Sequence, residues 1–584
     1  MRKIAVLCWM CGFLSVSAQP VSLGGRVFSP SGLSISGATV SLMSGSSTAT
    51  TDASGNFLFS TTAVRPNQTS SRYSFNLHGN EIALSLPARI ARGQAQFFTW
   101  DGKREALLLL DGLAAGTHTM VLPQLTRGIH FMRLNVDGNF YTEKLLRVDG
   151  GFAEAGTGVV AEPVGNSTGM LAKAAVTTDT LLITKAGYQN AKVPLGSTRS
   201  NVQVVLYPLC TIPSMPAVSA LPVNAKMPDP FQSMGGSRIS SRAEWDCRRA
   251  EISQQLQTYE LGTKPPRPAS VTATTKDTTL TITVVEGGKT MSFTVTFKKP
   301  TTGTAPFPVL IGYGSSSLSD VVSLGVATLN FNNDEMAKNT GGSTTADRGK
   351  GKFYDFYGST HSASAMMAWA WAVSRIIDAL EMTPETGLDP SRVAVTGCSR
   401  NGKGAIVAGA FDERIALTIP QESGSGGAGN WRVSDYMLNT LKQSTQDLKE
   451  IVGEEPWFST ALNAFSGKVG QLPFDHHMLM GMVAPRGLLV IENDILWLGP
   501  MSSFSSAVAG KRIFDALGAP AAITYSEVGK HNHCSFPVSQ KHWVDSYVSK
   551  YLLGGAGEAA KIENDQSLTF DEARWVDWTT PVLP

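Results

Sequence analysis

The chain has 584 residues, enough for three or four domains at roughly 150 residues each. Hydrophobic residues make up 42% and charged residues only 16%, which is too apolar and too weakly charged for a disordered chain. Lys and Arg number 49 against 47 Asp and Glu, with no basic run, which argues against nucleic acid as a partner.

The first residues read as a targeting segment. Arg2 and Lys3 precede an apolar run at 4–16, and Val16-Ser17-Ala18 offers small residues for cleavage after Ala18. A buried N-terminal helix is the competing reading. A signal peptide at 1–18 implies export to the periplasm, the cell surface or the medium. Cys8 and Cys11 would leave with it. Cys210, Cys247, Cys398 and Cys534 remain, an even number that favours two disulfides with three connectivities open. The remaining part has no Cys-x-x-Cys, which speaks against a zinc or redox site of that type. No later apolar stretch approaches the roughly 18 residues that span a bilayer.

Residues 19–208 read as all-β. Arg26-Val27-Phe28, Ala38-Thr39-Val40-Ser41-Leu42 and Asn56-Phe57-Leu58-Phe59 are short alternating runs, separated by turn formers such as Ser29-Pro30-Ser31-Gly32 and Asp52-Ala53-Ser54-Gly55. With Gly25 and Ile35-Ser36-Gly37, these runs resemble the carboxypeptidase-regulatory-like β-sandwich. Its closing strands are matched only after a long interval, at 181–188 and 202–206. The interval carries strand signals at 82–86, 116–120, 128–134 and 141–146, and resembles a small immunoglobulin-like sandwich. One sandwich at 19–64 plus 175–208, with another at 65–174 inserted into it, is the expectation. Two consecutive β-domains are the plainer alternative.

A Pro-rich passage at 210–230 opens the third region, 209–584. Strand-like runs at 307–311 and 325–329 alternate there with helical patterns. The clearest helix is 363–380, with Met366, Ala370, Val373, Ile377 and Leu380 on one face. Such alternation predicts a mainly parallel sheet with helices on both faces, a three-layer α/β/α sandwich.

Arg392-Val393-Ala394-Val395-Thr396 is a β-branched strand. Gly397-Cys398-Ser399-Arg400-Asn401-Gly402-Lys403-Gly404 follows, then a small-residue helix at 405–411. Strand, glycine turn, serine and helix make the layout of a nucleophile elbow, which raises the serine hydroxyl above the sheet and aims a helix N-terminus at a developing oxyanion. The usual second glycine stands two after the serine; here Asn401 takes that place and Gly402 follows. An ordinary strand–turn–helix with an exposed serine is the plain alternative. A serine nucleophile needs a base and an orienting acid. Of the late histidines His531, His533 and His542, the first two lie in a loop after an apparent strand at 522–528, where a base belongs. Glu422, after the strand at 415–419, and Asp494, after a later strand, both qualify as the acid.

These residues resemble the nucleophile motif of the glucuronoyl esterases, carbohydrate esterase family fifteen. Supporting blocks are Asp347-Arg348-Gly349-Lys350-Gly351-Lys352-Phe353-Tyr354, Ala368-Trp369-Ala370-Trp371, Pro420-Gln421-Glu422-Ser423-Gly424, Leu472-Pro473-Phe474-Asp475-His476-His477 and His531-Asn532-His533-Cys534-Ser535-Phe536-Pro537. The resemblance covers about 208–584 and implies an α/β-hydrolase serine esterase with no metal and no organic cofactor. It makes Ser399 the nucleophile, His533 the base, Glu422 the acid and Arg400 an oxyanion donor. Some members place the acid after the later strand, so Asp494 stays open. Lys403, Gln446, Glu454 and Trp497 would hold the uronate, with Gln443 a near competitor of Gln446. The family's disulfide implies Cys398 with Cys534, and so Cys210 with Cys247. Lys403 as a helix cap, Trp497 as core, and His476 and His477 as structural residues are the bland readings.

The implied reaction is hydrolysis of esters joining (4-O-methyl-)glucuronate side chains of glucuronoxylan to lignin alcohols, by an exported monomer. An acetyl xylan or feruloyl esterase of the same fold is one alternative. A non-catalytic polysaccharide-binding surface protein is the other.

Overall fold

The computed structural model describes residues 23–59, 74–159 and 179–584, apart from short stretches within each. The leader expected at 1–18 lies outside the described residues. Two compact units divide the chain, residues 62–175 and the remainder.

In the larger unit, early strands pair with late ones. Leu23–Phe28 runs between Ser200–Val205 and Asn56–Phe59 in a three-stranded sheet. Thr39–Leu42 lies between Asp179–Thr184 and Thr48–Thr50 in a four-stranded sheet whose far edge is Ala191–Leu195. Alternate side chains from both sheets, among them Val27, Val40, Phe57, Leu181, Ile183 and Val204, form one apolar core. The unit at 62–175 has antiparallel sheets of its own, one of five strands and one of four.

The body from residue 209 onward is built on a ten-stranded sheet. Its strands are β1 (Ser270–Lys276), β2 (Thr279–Glu286), β3 (Lys289–Lys298), β4 (Phe307–Tyr313), β5 (Ala327–Phe331), β6 (Leu388–Cys398), β7 (Ile415–Gln421), β8 (Gly487–Glu492), β9 (Ile523–Glu527) and β10 (Ile562–Asn564). They lie in the order β1-β2-β3-β5-β4-β6-β7-β8-β9-β10. From β1 to β5 the neighbours are antiparallel, and from β5 onward they are parallel. The antiparallel start was not anticipated from the sequence, although Leu280-Thr281-Ile282-Thr283-Val284 alternates as a half-buried strand should.

The helices that matter are α1 (Arg242–Leu256), α2 (Ala365–Met382), α3 (Arg400–Phe411), α4 (Pro500–Ala516) and α5 (Lys541–Leu552). Strand side chains alternate between two cores. Val309, Ile311, Val393 and Val395 face the α2, α3 and α4 side; Leu310, Ala394, Leu417 and Ile491 meet Trp543, Val544, Tyr547 and Val548 of α5. Helices therefore cover both faces, which is why β8 is buried at every position. Helix α2 departs from the one-sided expectation: Ala365 to Leu380 are all buried. Its Ser364 cap accepts the Met367 amide at 3.2 Å. Enclosure by neighbouring elements, not a single apolar stripe, decides its burial.

Helix α1 joins the small sandwich to this body. Cys210 and Cys247 are disulfide-bonded, the Ser31 amide donates to Asp246 at 2.8 Å, and Tyr207 donates to Glu413. Among the described residues, no helix is long and apolar enough to cross a membrane.

Candidate active site

Strand β6 runs straight into the serine turn. Ser399 has φ +61° and ψ −128°, a conformation that costs an L residue energy and marks a strained elbow. Helix α3 begins at the next residue, Arg400, rather than at 405, so its unpaired first-turn N–H groups lie beside the serine. Two glycines make the turn possible. A Cβ on Gly397 would stand 2.6 Å from the Asn401 carbonyl oxygen, and one on Gly402 would stand 2.6 Å from that of Gln421. The close approach to the neighbouring strand β7 falls three residues after the serine, which is why glycine is needed at 402. Asn401 serves another purpose. Its Oδ1 accepts from Asn333 Nδ2 at 3.0 Å and its Nδ2 donates to the Tyr313 carbonyl at 3.2 Å, tying the elbow to the short helical turn after β5 and to the end of β4.

Glu422 directly follows β7, with φ +43° and no solvent exposure. Its Oε2 accepts from His533 Nδ1 at 2.8 Å, from the Cys534 amide at 2.8 Å and from Asn493 Nδ2 at 3.3 Å. Burial works against its charge, but the bonds from His533 and Cys534 outweigh it and hold the carboxyl below its ordinary range. His533 Nε2, the other ring nitrogen, is buried with no hydrogen-bond partner. The Cys398–Cys534 disulfide joins the residue before the serine to the residue after the histidine. Both sulfurs and a ring nitrogen of His533 lie within 4.8 Å of one another. Being bonded to each other, the sulfurs offer no thiolate to a metal.

Asp494 lies two residues beyond the end of β8, and its Oδ1 accepts the Lys530 amide at 3.2 Å. The carboxylate on His533 is that of Glu422. His531 Nε2 donates to the Val528 carbonyl at 2.9 Å, while its Nδ1 meets Asn493 Nδ2 at 3.2 Å. Arg400 stands half-exposed, its Nη2 3.7 Å from Asp334 and its Nε buried without a partner.

The expected uronate-holding residues are linked to one another by contacts and charge. Lys403 Nζ donates to the Ser423 carbonyl and lies 5.4 Å from the ring centre of Trp457. Burial brings this ammonium down to about 8, against the attraction of Glu492 and Glu454. Gln446 Nε2 donates to Glu454 at 3.0 Å, and the Gln446 amide donates to the Trp497 carbonyl at 3.1 Å. Gln443 instead sends its amide to Met437. Trp497 is 39% exposed as a residue, and its ring meets the His533 ring edge-to-face at 4.8 Å, so it is a wall beside the histidine and not core. His476 lies between Glu260 and the Gly427 carbonyl, and His477 bonds the Pro228 carbonyl against Trp578, so both brace the interior.

Two residues were missed from the sequence. Trp457 pins itself to Asn339 Oδ1 at 3.1 Å and flanks Lys403. Glu492, fully buried at the end of β8, accepts bonds from Ser423 and Gly424. An acidic residue inside an otherwise apolar strand is the one signal that pointed to it.

The family model for fungal glucuronyl esterases matches residues 282–518. A 4-O-methyl-glucuronoyl methylesterase of Hypocrea jecorina is 49% identical over 373 residues, which are 64% of this chain and 79% of that protein. The solved glucuronoyl esterase catalytic domain from Hypocrea jecorina superposes with a TM-score of 0.61 at 48% identity, covering 64% of this chain and all of that one. A glucuronoyl esterase from Sporotrichum thermophile, a serine-to-alanine mutant in complex with methyl 4-O-methyl-β-D-glucopyranuronate, gives a TM-score of 0.61 at 41% identity, again over 64% of this chain and 100% of that one.

Proposed function

Because the chain belongs to the glucuronoyl esterase family, we propose that Ser399, His533 and Glu422 form its catalytic triad, with Arg400 as oxyanion donor. The enzyme is a carboxylic ester hydrolase, a 4-O-methyl-glucuronoyl methylesterase by its relatives' activity. The single observation that carries the triad is the Glu422–His533 bond of 2.8 Å, which leaves Nε2 of the same ring unpartnered beside the strained serine turn.

The chemistry follows from that geometry. Glu422 accepts the Nδ1–H of His533 and so leaves Nε2 with its lone pair. Nε2 takes the Ser399 proton as the hydroxyl oxygen attacks the ester carbonyl. Charge that develops on the carbonyl oxygen is met by the first-turn N–H groups of α3 and by the Arg400 guanidinium. His533 returns the proton to the leaving alcohol, a uronoyl-serine remains, and water enters by the same route.

Lys403, Gln446 and Glu454 supply donors and acceptors for sugar hydroxyls, and Trp497 a flat wall. A site whose polar groups need hydroxyl partners rejects acids lacking them. The natural substrates on this reading are esters of (4-O-methyl-)glucuronate on glucuronoxylan with lignin alcohols, cleaved by an exported monomer. The leading segments are read as a carboxypeptidase-regulatory-like sandwich with an immunoglobulin-like one inserted. Ser399→Ala tests the triad. Hydrolysis of methyl 4-O-methyl-glucuronate should fall by about 10⁴-fold or more, and acetylated xylan should be a poor substrate for the unaltered enzyme. Residual turnover above a few per cent of the parent would overturn the nucleophile assignment.

A further inference from the structure

Glu492 closes β8 with no solvent exposure. Its Oε1 accepts three hydrogen bonds, each of 3.2 Å, from the Ser423 amide, the Ser423 hydroxyl and the Gly424 amide. Its Oε2 is buried without a hydrogen-bond partner. The residue before it, Ile491, takes the Glu422 amide on its carbonyl at 2.6 Å. The N–H groups of Glu422, Ser423 and Gly424 are therefore all fixed by the end of one strand. These peptides frame Glu422, whose positive φ persists only where its surroundings hold it. They also frame the Ser423 carbonyl, the acceptor for Lys403 Nζ.

We propose that Glu492 is a positioning residue for the ester hydrolysis: its carboxyl clamps the 422–424 turn and so sets both the acid that orients His533 and the carbonyl that holds Lys403. The inference rests on the triad reading above and adds to it a group that touches no substrate. One side chain thereby couples the proton-transfer arm of the site to its sugar-holding arm.

The clamp does not need a charge. Burial, opposed by the bond from Gly424 and aided by the nearby charge of Glu422, pushes this carboxyl up to about 8. A neutral carboxyl still offers Oε1 to its three donors and puts no second anion beside Glu422. Glutamine reproduces that form. Methionine fills a similar volume but has no oxygen to accept the bonds.

Glu492→Met and Glu492→Gln, assayed on methyl 4-O-methyl-glucuronate with the folded fraction taken from circular dichroism, test the idea. In Glu492→Met, kcat should fall by about 10- to 100-fold, the range a small misplacement costs. KM should rise about threefold or more in the same variant, because both arms move. Glu492→Gln should bring both constants most of the way back. A merely structural role would reduce the active fraction and leave the KM of the surviving enzyme alone. The proposal is overturned if Glu492→Met keeps the parent kcat and KM, if it loses activity at unchanged KM, or if glutamine is as damaging as methionine. Should Glu492→Met not fold, Glu492→Asp, whose carboxyl is drawn back by one methylene, takes its place under the same criteria. Failure of the triad reading looks different, since Ser399→Ala would then turn over normally.

Discussion

The two ends of helix α3 treat polar groups in opposite ways. Just beyond its C-terminus, Glu413 pairs with Arg249 at 2.5 Å and accepts the Tyr207 hydroxyl of the small sandwich. Arg414 reaches Asp378 at 2.7 Å, Asp412 at 2.8 Å and Glu381 at 3.2 Å, and Lys264 Nζ donates to Ser374 and to the Phe411 carbonyl. A cavity of about 670 Å³ runs along this end, lined by Tyr207, Arg249, Lys264, Asp412 and Glu413 among others. At the N-terminal end, roughly 18 Å away by helical rise, Arg400 Nε and His533 Nε2 are buried with no partner. Matched charges hold elements together, with Arg486 Nε an orphaned atom among them; on the proposed reading, the open groups at the N-terminal end are those that meet the ester.

The largest expected effect is on rate at the open end. Glu422→Ala should lower kcat/KM by about 10⁴-fold, or about 5.5 kcal/mol of transition-state stabilisation. Asp494→Ala should stay within about threefold, since its carboxylate serves the Lys530 amide. Steady-state assays of the folded fraction of both variants decide it. Collapse of the Asp494 variant, with Glu422→Ala nearly intact, would reverse the assignment of the acid.

Next comes an effect on stability at the closed end. The Arg249 and Glu413 side chains are only 5% and 6% exposed. Removing one member of such a pair strands the other and costs about 3–5 kcal/mol. Glu413→Ala should show that loss in chemical denaturation while kcat and KM of the folded enzyme keep their parent values. A rate defect in that variant would break the contrast between the two ends.

What was legible in the sequence follows the same line. The elbow is a local requirement: Gly397 and Ser399 lie within one turn, and the apolar runs of β4, β6 and β7 sit near the positions their periodicity gives. The late histidine loop after β9 is legible for the same reason. The choice between the acid candidates was not, because Glu422 and Asp494 both follow strands, and only the path of the chain after β8 sends Asp494 toward Lys530. Glu492 escaped because its role depends on two strand ends lying side by side. The need for Gly402, rather than a glycine at 401, likewise comes from the Gln421 carbonyl of the neighbouring strand.

The smallest effect is one of pH. In the cluster around Arg414, burial raises the carboxyls of Asp378, Asp412 and Glu381, and the Arg414 charge lowers all three. The balance differs: Asp378 is brought down to about 2 and Asp412 is also held below its ordinary range, while Glu381 stays above its own. For the two aspartates, the unfolded chain takes up protons first as pH falls. Their contribution is complete above the ordinary aspartate value and is lost as pH drops toward 2. Arg414→Met removes the cation that depresses every member of the set, so the folded carboxyls of the variant titrate higher. The stability gap between parent and variant should therefore be widest near pH 7 and narrow by about 1–3 kcal/mol by pH 3, since each tenfold change in a carboxyl's proton affinity is worth about 1.4 kcal/mol. Denaturant titrations at both pH values measure it. A gap that stays constant would mean that Arg414 acts by packing and hydrogen bonding alone, and that the closed end is held by shape more than by matched charge.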